Sequence, residues 1–480
     1  MGSINLVTLS VVFDFLRQHQ LKAMRLDSRQ VQPGDLFIAM PGLTTDGRQH
    51  ISQAIANGAA AIIAEADGMP SYQGVAAPLL LVTNLKSKLA DMATFFYNNP
   101  SHNLKVIGIT GTNGKTSTSH YIAQLFSAVS MRCGIMGTLG NGFLDNLIKS
   151  QLTTSDCCSL QDQLFIFAQQ KTSFVAMEVS SIGLLEGRLA NTAINTAVYT
   201  NLSQDHLDYH VSMEDYFAAK CKLFSEFEPK NCVVNLDDPY SERLLKIIPL
   251  QSQVITYSLL NPNAAVYYND GVIITPWGTG SLKVSLVGKF NISNVLAAIA
   301  CCALQGVPLA DLLLAASTLT AVAGRMQTVF NAALAAPKVV VDYAHTPEAV
   351  TKALQALGEY KSQKLYCIIG CGGDRDRSKR PLMLDAAIEY SDVVIVTQDN
   401  PRTEDPQQIV GDMLGTRHVT DNIIIELDRA KAIQQTIAQA SPHDLILIAG
   451  KGHEDYQIIG TTKLPFSDLL IAQQALEVRR

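Results

Sequence analysis

The sequence lacks the cysteine patterns of zinc sites and of disulfide frameworks. Its 480 residues include nine cysteines, but no two of them have the Cys-x-x-Cys spacing that structural zinc sites use. Two pairs are adjacent in the chain, Cys157-Cys158 and Cys301-Cys302, and they suggest no disulfide framework. We therefore expect the cysteines to be core thiols in a reducing compartment.

Long apolar runs are also missing. One of the longest, 295–304, falls far short of the ~18 residues that a membrane span needs. Residues 1–5 lack the basic region and following apolar segment of a secretory signal. The formal net charge of −6 argues against a nucleic-acid-binding surface, although it allows a local basic pocket for a small anion. We expect a soluble, cytoplasmic monomer without membrane or nucleic-acid partners.

The length corresponds to about three domains, and the 47% hydrophobic composition can fill several cores. Residues 98–103 form a polar, proline-containing break, and residues 324–337 form a second one. No low-complexity tract or fixed-period repeat is visible. The predicted domains are therefore 1–100, 101–330 and 331–480.

Short apolar runs alternate with longer segments of helical period in the second and third domains. This alternation is typical of parallel sheets covered by helices, so we predict an α/β fold. In the first domain, two buried strands are expected around a helix. The runs predicted to be strands are 35–40, 59–64, 174–177, 197–199, 232–235, 339–342, 365–369, 393–397, 423–425 and 445–448.

A glycine-containing loop follows the apolar run 106–109 and opens onto a segment of helical character. Glycines let backbone N–H groups surround phosphate oxygens, a lysine can reach the β- and γ-phosphates, and a threonine hydroxyl can bind Mg²⁺. Ile109 stands where the usual motif has its first glycine, so the loop is a shortened variant. An ordinary glycine turn that caps a helix does not explain the Gly-Lys-Thr at the helix start. The residues predicted to bind ATP are Gly111, Thr112, Asn113, Gly114, Lys115, Thr116 and Ser117.

Three further features of the central domain lie at or after predicted strand ends, where open α/β sheets place ligand chemistry. Glu178 ends one strand and can face the Mg²⁺ held by Thr116. His206 lies in a loop with carboxylates, and Lys220 follows on a helix. Taken singly, they are more simply interpreted as an N-cap partner, a polar loop residue and a solvated helix position. Their occurrence together with the phosphate loop favours a functional role.

Motifs spread over residues 25–455 resemble the Mur ligases, the ATP-dependent amino-acid-adding enzymes of peptidoglycan synthesis. The resemblance implies three domains, with a central phosphate-loop ATPase domain and a Rossmann-like C-terminal domain. Within the family, Asp399-Asn400-Pro401-Arg402 is similar to the motif that accompanies meso-diaminopimelate, and lysine-adding members differ at the position of Arg402. The segments that carry the resemblance are 111–116, 178–181, 201–208, 235–238, 288–294, 324–326, 342–347, 399–402 and 450–454.

The resemblance also implies roles for individual residues around ATP. Lys115 would stabilise the transferring phosphoryl group, and Thr116 with Glu178 would hold one Mg²⁺. His206 resembles a ligand of a second Mg²⁺, and the lysine matching Lys220 is carbamylated in the family. The residues that the family uses around the nucleotide match Asn291, Arg325, Asp342 and His345.

By the same resemblance, the expected partners are UDP-N-acetylmuramoyl-L-alanyl-D-glutamate and meso-diaminopimelate. Arginines mixed with acids suit the second of these, a zwitterion with two ammonium and two carboxylate groups. The implied UDP site of the first domain includes Leu26, Ser28 and the segment 42–47. The implied contacts of the dipeptide are Thr153, Thr154, Ser180, Glu186 and Arg188. Those of the incoming amino acid are Arg375, Asp399, Asn400, Arg402, Gly450 and Glu454.

The sequence departs from the family pattern at Leu152, Ile182 and Glu186, where asparagine, histidine and glutamine are common. An extra carboxylate at Glu186 would weaken binding of an anionic substrate unless a cation such as Arg188 pairs with it. The alternatives are a lysine-adding ligase and, further away, a folylpolyglutamate synthase, which lacks the Leu26-Asp27-Ser28-Arg29 region and the 399–402 motif. A hydrolase or a binding protein with a phosphate loop has no need of Glu178, His206 and Lys220 together.

Overall fold

The computed structural model describes residues 7–42, 45–69, 76–150, 152–329 and 336–479. Their strands form sheets of four, eleven, six and two strands, which belong to three successive units of the chain. The predicted α/β class is confirmed, because helices alternate with mainly parallel strands in each unit.

The N-terminal unit is a four-stranded parallel sheet in the order β1-β2-β3-β4. The two strands predicted here are confirmed, with a helix between them, and the first of them is buried at every position. Two further strands, one on each side of the predicted pair, and two more helices complete the unit. Its elements are α1 (Leu9–Gln18), β1 (Met24–Arg25), β2 (Leu36–Ala39), α2 (Ile51–Ala56), β3 (Ala61–Glu65), β4 (Leu79–Val82) and α3 (Leu85–Phe96).

The central unit is built on the eleven-stranded sheet. Its strands are β5 (Lys105–Thr110), β6 (Cys133–Gly137), β7 (Gly140–Phe143), β8 (Asn146–Ile148), β9 (Phe174–Glu178), β10 (Thr196–Tyr199), β11 (Asn231–Asn235), β12 (Gln253–Ser258), β13 (Val266–Asn269), β14 (Val272–Thr275) and β15 (Gly278–Ser281). Its helices are α4 (Lys115–Ala128), α5 (Cys157–Gln169), α6 (Ser181–Leu185), α7 (Met213–Ser225), α8 (Ser241–Leu245), α9 (Lys289–Leu304) and α10 (Leu309–Ala316).

The strand order of the central sheet determines where a ligand can bind. The order is β15-β14-β13-β12-β11-β10-β5-β9-β6-β7-β8, and the strands from β13 to β6 are parallel. β5 lies between β9 and β10. After β5 the chain forms β6 and β9 on one side of it, and only later forms β10 on the other side. Open α/β sheets bind ligands at the carboxyl ends of strands that flank such a reversal. The loops after β5, β9 and β10 therefore meet at one edge.

The C-terminal unit has a six-stranded sheet in the order β16-β17-β21-β18-β19-β20, parallel except at β16. β16 already belongs to this sheet, so the unit's sheet begins before residue 331. The predicted break at 324–337 lies partly outside the described residues, and the domain boundaries stay predictions.

The strands of the C-terminal unit are β16 (Gln327–Thr328), β17 (Lys338–Asp342), β18 (Leu365–Ile369), β19 (Val393–Val396), β20 (Ile423–Ile425), β21 (Leu445–Ala449), β22 (Tyr456–Ile459) and β23 (Thr462–Pro465). The helices are α11 (Pro347–Gly358), α12 (Lys379–Tyr390), α13 (Pro406–Leu414), α14 (Arg429–Gln439) and α15 (Asp468–Val478).

The N-terminal unit packs directly on α5 of the central unit. Cys157 and Cys158, at the start of α5, belong to the same buried apolar cluster as the core of the first unit. Arg25 also forms an ion pair with Asp162 of α5, with 2.9 Å between Nη1 and Oδ2. The contact between the two units therefore combines apolar burial with a half-buried ion pair.

All nine cysteines are buried and unpaired, as predicted from their spacing. In the described part of the chain, no helix combines the length and apolar character needed to cross a membrane.

A fully buried ion pair joins α14 to α15. The guanidinium of Arg429 donates to both carboxylate oxygens of Asp468, each at 2.7 Å, and both side chains are 0% exposed. Asp468→Asn leaves the arginine charge buried without an anion, so we expect the free energy of unfolding to fall by about 3 kcal/mol. Urea denaturation followed by circular dichroism measures this loss.

The control is Asp385→Asn, which removes the anion from a partly exposed pair with Arg417 in the same unit. Such a surface pair contributes at most about 1 kcal/mol. Equal losses in the two variants would contradict the importance assigned to the buried pair.

Candidate functional site

The predicted phosphate loop lies between the end of β5 and the start of α4. Gly111 has a φ of +147° and Gly114 one of +86°, values that glycine adopts readily. A Cβ on Gly111 would lie 1.9 Å from Oγ1 of Thr200, and one on Gly114 would lie 2.5 Å from Oδ1 of Asn294. Both positions therefore require glycine. The loop leads into a helix N-terminus, which attracts anions.

Lys115 is held by the loop itself. Its amino group donates to the carbonyl oxygens of Gly111 and Thr112, both at 2.8 Å. Burial lowers the pKa of Lys115, while the negative charge of Glu178 raises it. Here the ammonium group donates to neutral carbonyl oxygens. A phosphate would form stronger, charge-assisted hydrogen bonds with it.

Glu178 lies at the carboxyl end of β9, beside the loop. Thr116 donates its hydroxyl to Oε2 at 3.0 Å, and Thr138 donates its backbone N–H to Oε1 at 2.9 Å and its hydroxyl to Oε2 at 3.0 Å. Glu178 is 1% exposed, so these hydrogen bonds replace water. A hydroxyl and a carboxylate oxygen side by side are hard donors of the kind that Mg²⁺ prefers.

Among the described residues, no three His, Cys, Asp or Glu side chains are grouped in a way that would hold a metal ion by themselves. Mg²⁺ usually keeps several waters and is bound through one or two protein oxygens together with substrate phosphates. The pair formed by Thr116 and Glu178 fits this second kind of site.

Asp205 lies where the central and C-terminal units meet. Its carboxylate is 3.2 Å from Nζ of Lys379, 3.4 Å from Nε2 of His206 and 3.5 Å from Nε2 of His345. Burial alone would raise the pKa of Asp205, but the hydrogen bond and charge of His345, with the charges of Lys379 and His206, lower it well below its ordinary value. A buried anion of the central unit is thus contacted by the ammonium group of Lys379 and by two imidazole rings, one from each unit.

Arg325 makes a second contact between the phosphate loop and the C-terminal unit. Its Nη2 donates to Oγ1 of Thr116 at 3.1 Å, and its guanidinium lies 4.3 Å from the centre of the Tyr343 ring. Asp342 accepts a hydrogen bond from the N–H of Met326 at 2.6 Å, and burial raises the pKa of Asp342. The structure therefore brings Arg325 and the segment 342–345 to the same cavity as the phosphate loop, and their contact with a nucleotide stays a prediction.

Lys220 is not a solvated helix position, because only 2% of the residue is exposed. Its amino group donates to the carbonyl of Gly111 at 2.8 Å and lies 4.3 Å from the centre of the Tyr216 ring. Burial, followed by the charge of Lys115, lowers the pKa of Lys220 well below its ordinary value. No carboxylate of the described residues forms an ion pair with this amine.

A cavity of about 1600 Å³ opens between the central and C-terminal units. Most of the predicted nucleotide residues line it, but Gly111 and Asn291 do not. The amide of Asn291 accepts a hydrogen bond from the Tyr121 hydroxyl at 2.9 Å and donates one to the Val287 carbonyl at 2.8 Å. Asn294, one turn later on α9, lines the cavity instead. The predicted residues that line it are Thr112, Asn113, Gly114, Lys115, Thr116, Ser117, Thr153, Glu178, His206, Arg325, Asp342 and His345.

The residues predicted to contact the dipeptide lie close to Glu178. Thr154 donates its hydroxyl to the Glu178 carbonyl at 3.0 Å and accepts a hydrogen bond from the N–H of Ser180 at 2.9 Å. Arg188 donates to the Thr154 carbonyl at 2.7 Å and forms an ion pair with Glu186, with 2.6 Å between Nη2 and Oε2. The unusual carboxylate at Glu186 is therefore neutralised by Arg188.

The residues predicted to bind uridine are in the N-terminal unit and do not line the cavity. Leu26 is half-buried, and Ser28 donates its hydroxyl to Oε1 of Gln53 at 2.8 Å. Residues 43 and 44 of the predicted segment 42–47 lie outside the described residues.

The strands β18, β19 and β21 bring together the residues predicted to hold the amino acid. Asn400 donates to Oε2 of Glu454 at 2.9 Å. Lys451 donates to Oδ1 of Asn400 at 3.0 Å and to Oε2 of Glu454 at 2.9 Å, and it lies 3.6 Å from Oδ1 of Asp399. Lys451 is 0% exposed and was not among the predicted site residues. Its place between Gly450 and Glu454 in the motif is the signal that could have identified it.

Two arginines complete this pocket. The Arg402 guanidinium donates to the Gly373 carbonyl at 2.6 Å, and no carboxylate of the described residues forms an ion pair with it. Burial lowers the pKa of Arg402, and the neighbouring charge of Arg375 lowers it further. Two adjacent cations, one of them without an anionic partner, form a site that suits a carboxylate.

A phosphate loop at the edge of a parallel sheet, covered by a second α/β unit, defines a phosphate-loop protein with a ligand cleft between units. The family described as "Mur ligase middle domain" matches residues 109–302, "Mur ligase, glutamate ligase domain" matches 324–452, and "Mur ligase family, catalytic domain" matches 20–97. The chain belongs to the Mur ligase family.

Individual relatives agree with this assignment. The UDP-N-acetylmuramoyl-L-alanyl-D-glutamate--2,6-diaminopimelate ligase of Pseudomonas aeruginosa is 45% identical over 465 residues, which are 95% of each chain. A solved structure of a ligase with the same description has a TM-score of 0.63 at 37% identity and covers 96% of this chain and 95% of its own.

More distant solved structures share the fold alone. The MurF ligase of Thermotoga maritima in complex with ADP has a TM-score of 0.65 at 18% identity, with coverage of 96% of this chain and 99% of its own. A folylpolyglutamate synthase of Mycobacterium tuberculosis has a TM-score of 0.61 at 17% identity, with coverage of 82% and 95%.

The contacts of Gly111 lead to a prediction for nucleotide binding. Gly111→Ala places a methyl group 1.9 Å from Oγ1 of Thr200 and 3.0 Å from the carbonyl oxygen of Asn201, so the loop must move. We expect ATP to bind at least about tenfold more weakly, which corresponds to ~1.4 kcal/mol. Equilibrium dialysis with labelled ATP measures the change.

The control is Gly358→Ala, whose new methyl group has no heavy atom within 4 Å, and this variant should bind ATP normally. Equal affinities in both variants would contradict the assignment of the loop.

Proposed function

We propose that the protein is the ATP-dependent ligase that joins meso-diaminopimelate to UDP-N-acetylmuramoyl-L-alanyl-D-glutamate, in the cytoplasm, during synthesis of peptidoglycan precursors. Identity of 45% over 95% of the chain to an enzyme with this printed name supports the reaction. The observation that carries the proposal is the cleft itself, in which a phosphate loop faces a unit that holds two arginines and a cluster of acids.

Joining an amine to a carboxylate in water is uphill, so the carboxylate must first be activated. ATP does this by forming an acyl phosphate, which the amine displaces through a tetrahedral intermediate. The protein contributes mainly positioning and charge neutralisation. Lys115, on the phosphate loop, and Arg325, bonded to the neighbouring Thr116, are placed to neutralise the phosphates.

Thr116 and Glu178 would hold Mg²⁺, which when bound spreads the negative charge of the ATP phosphates. The three hydrogen bonds to Glu178 hold its carboxylate beside Thr116. His206 lies on the same edge of the sheet and is oriented by Asp205, as suits a ligand of a second ion. His345 and Asp342 close the nucleotide site from the C-terminal unit.

Lys220 is proposed to be carbamylated. A buried amine with a lowered pKa is uncharged more readily than an exposed one, and an uncharged amine is the form that reacts with carbon dioxide. The product carries a negative charge in place of a positive one, which suits a neighbour of magnesium.

The two ends of the UDP-linked substrate are assigned to different units. Leu26 and Ser28 belong to the uridine end, while Thr153, Thr154, Ser180 and Arg188 surround the dipeptide near Glu178. The ion pair between Glu186 and Arg188 removes the repulsion that a free carboxylate would exert on an anionic substrate.

The choice of diaminopimelate over lysine rests on Arg402. Diaminopimelate has one more carboxylate at the far end of its side chain, and a guanidinium recognises that group with two parallel hydrogen bonds. Asp399, Asn400, Gly450 and Glu454 would receive the ammonium groups of the same molecule.

The test is the product made from ATP, the UDP-linked dipeptide and a panel of amino acids. We expect ADP release to depend on the acceptor, and the product mass to increase by diaminopimelate. Lysine leaves Arg402 buried without an anion, so its kcat/KM should be lower by roughly tens- to thousands-fold. Equal use of lysine would overturn the substrate assignment alone. ADP release without any acceptor would indicate a hydrolase.

The carbamate has its own test. Lys220→Ala should lose most activity, and acetate should restore part of it by supplying the missing anion. Lys222→Ala, on the same helix but with its side chain paired to Glu226 near the surface, is the control and should be neither impaired nor rescued. Native mass spectrometry of the active enzyme should show the added carbon dioxide, and an unmodified amine in that sample would exclude the carbamate.

A further inference from the structure

Two loops of the C-terminal unit carry the arginines of the amino-acid pocket. We call residues 370–377, which follow β18, the first recognition loop, and residues 399–405, which follow β19, the second. β18 and β19 are adjacent and parallel, so the loops emerge side by side. Arg375 belongs to the first loop and Arg402 to the second.

Each loop contains a residue in an unfavourable backbone conformation. Asp374 and Arg402 both have a φ of +52°, in the left-handed region that non-glycine residues rarely adopt. Such residues persist where the surrounding structure determines their conformation, and they are common at ligand-binding sites.

The loops are joined by hydrogen bonds at this point. Thr403 donates its hydroxyl to Oδ1 of Asp374 at 2.9 Å and its N–H to Oδ2 at 3.2 Å. Gly373 donates its N–H to the Asn400 carbonyl at 2.9 Å and accepts a hydrogen bond from Arg402 at 2.6 Å. These bonds fix one loop relative to the other.

Glu404 is the centre of the connection. Its Oε1 accepts the N–H of Asp374 at 2.5 Å, and its carboxylate accepts from Arg380 at 2.8 and 3.0 Å and from Arg377 at 2.7 Å. Arg380 is 0% exposed and donates in turn to the carbonyl of Gly372 at 3.2 Å. The Glu404 carboxylate therefore connects the second loop to the first loop directly at Asp374, and through Arg380 at Gly372.

The contact between the loops leaves little room for adjustment. A Cβ on Gly373 would lie 1.9 Å from the carbonyl oxygen of Pro401. The hydrogen bonds from Arg380, with those from Asp374 and Arg377, lower the pKa of Glu404 to about 2, so the carboxylate is ionised at neutral pH.

We propose that Glu404 is a positioning residue that sets the spacing of Arg375 and Arg402 and thereby the selectivity for an amino acid with a carboxylate at its far end. This inference rests on the proposed function. A bidentate guanidinium–carboxylate pair depends on geometry, and an error of about 1 Å in the position of a binding group can cost about a hundredfold in rate.

A matched control distinguishes positioning from general stability. Asp412 also forms an ion pair with Arg380, at 2.7 Å, but it lies on α13 and has no contact with the first recognition loop. Glu404→Gln and Asp412→Asn each remove one negative charge from the same buried arginine. Only the first removes charge from the connection between the loops.

The experiment measures kcat/KM for diaminopimelate and for lysine, the KM for ATP and the thermal unfolding of each variant. For Glu404→Gln we expect kcat/KM with diaminopimelate to fall about tenfold or more, mainly through KM, with little change for lysine or in the KM for ATP. The ratio of the two amino acids should fall by the same factor. Asp412→Asn should keep this ratio within about twofold.

A second pair of variants tests the same connection if Glu404→Gln fails to fold. Thr403→Val removes the hydroxyl that binds Asp374 and should lower the ratio, whereas Thr403→Ser keeps the hydroxyl and should preserve it. An unchanged ratio in Thr403→Val, or an equal fall in Asp412→Asn, would overturn the inference. An unmutated enzyme that does not prefer diaminopimelate would instead overturn the proposed substrate.

Discussion

The relative position of the two halves of the cleft depends on one buried carboxylate. Asp205 belongs to the central unit, is 4% exposed, and receives Lys379 and His345 from the C-terminal unit. A carboxylate removed from water without such partners would be strongly destabilising. The observed arrangement of the units supplies the ammonium group of Lys379 and the imidazole of His345, and the same arrangement brings Arg325 to Thr116. Asp205 is therefore a buried polar contact between the two units that line the cavity.

Much of the fold follows from local patterns of the chain. The apolar runs were confirmed as strands because central parallel strands such as β5, β9 and β21 are buried on both faces and are therefore mostly apolar. The phosphate loop could be predicted because its glycines are needed for backbone reasons that apply in any sequence context. Glu178 was found by its place at the end of β9, and the structure puts its carboxylate 3.0 Å from the Thr116 hydroxyl.

The sequence could not predict which side of a helix faces a cavity. It also could not predict which residues meet between units or between separate strands. Asn291 and Asn294 are one turn apart on α9, and the structure bonds Asn291 to Tyr121 while Asn294 lines the cavity. Lys451 is surrounded by apolar and acidic groups that three separate strands bring together, so its burial has no local signal. Asp205 was recognised only as one of several loop carboxylates, because its partners lie about 140 to 170 residues further along the chain.

The docking of the N-terminal unit on α5 has a mechanical consequence. Thr153 and Thr154 lie just before α5, and Arg25 of the first unit holds the middle of the same helix through Asp162. A rotation of the first unit would therefore carry the threonines with it. With the uridine end assigned to the first unit, as proposed, this contact would fix the distance from that end of the substrate to the reacting carboxylate. A UDP-linked peptide shorter or longer by one residue would bind at one end and place the wrong atom beside the phosphate loop.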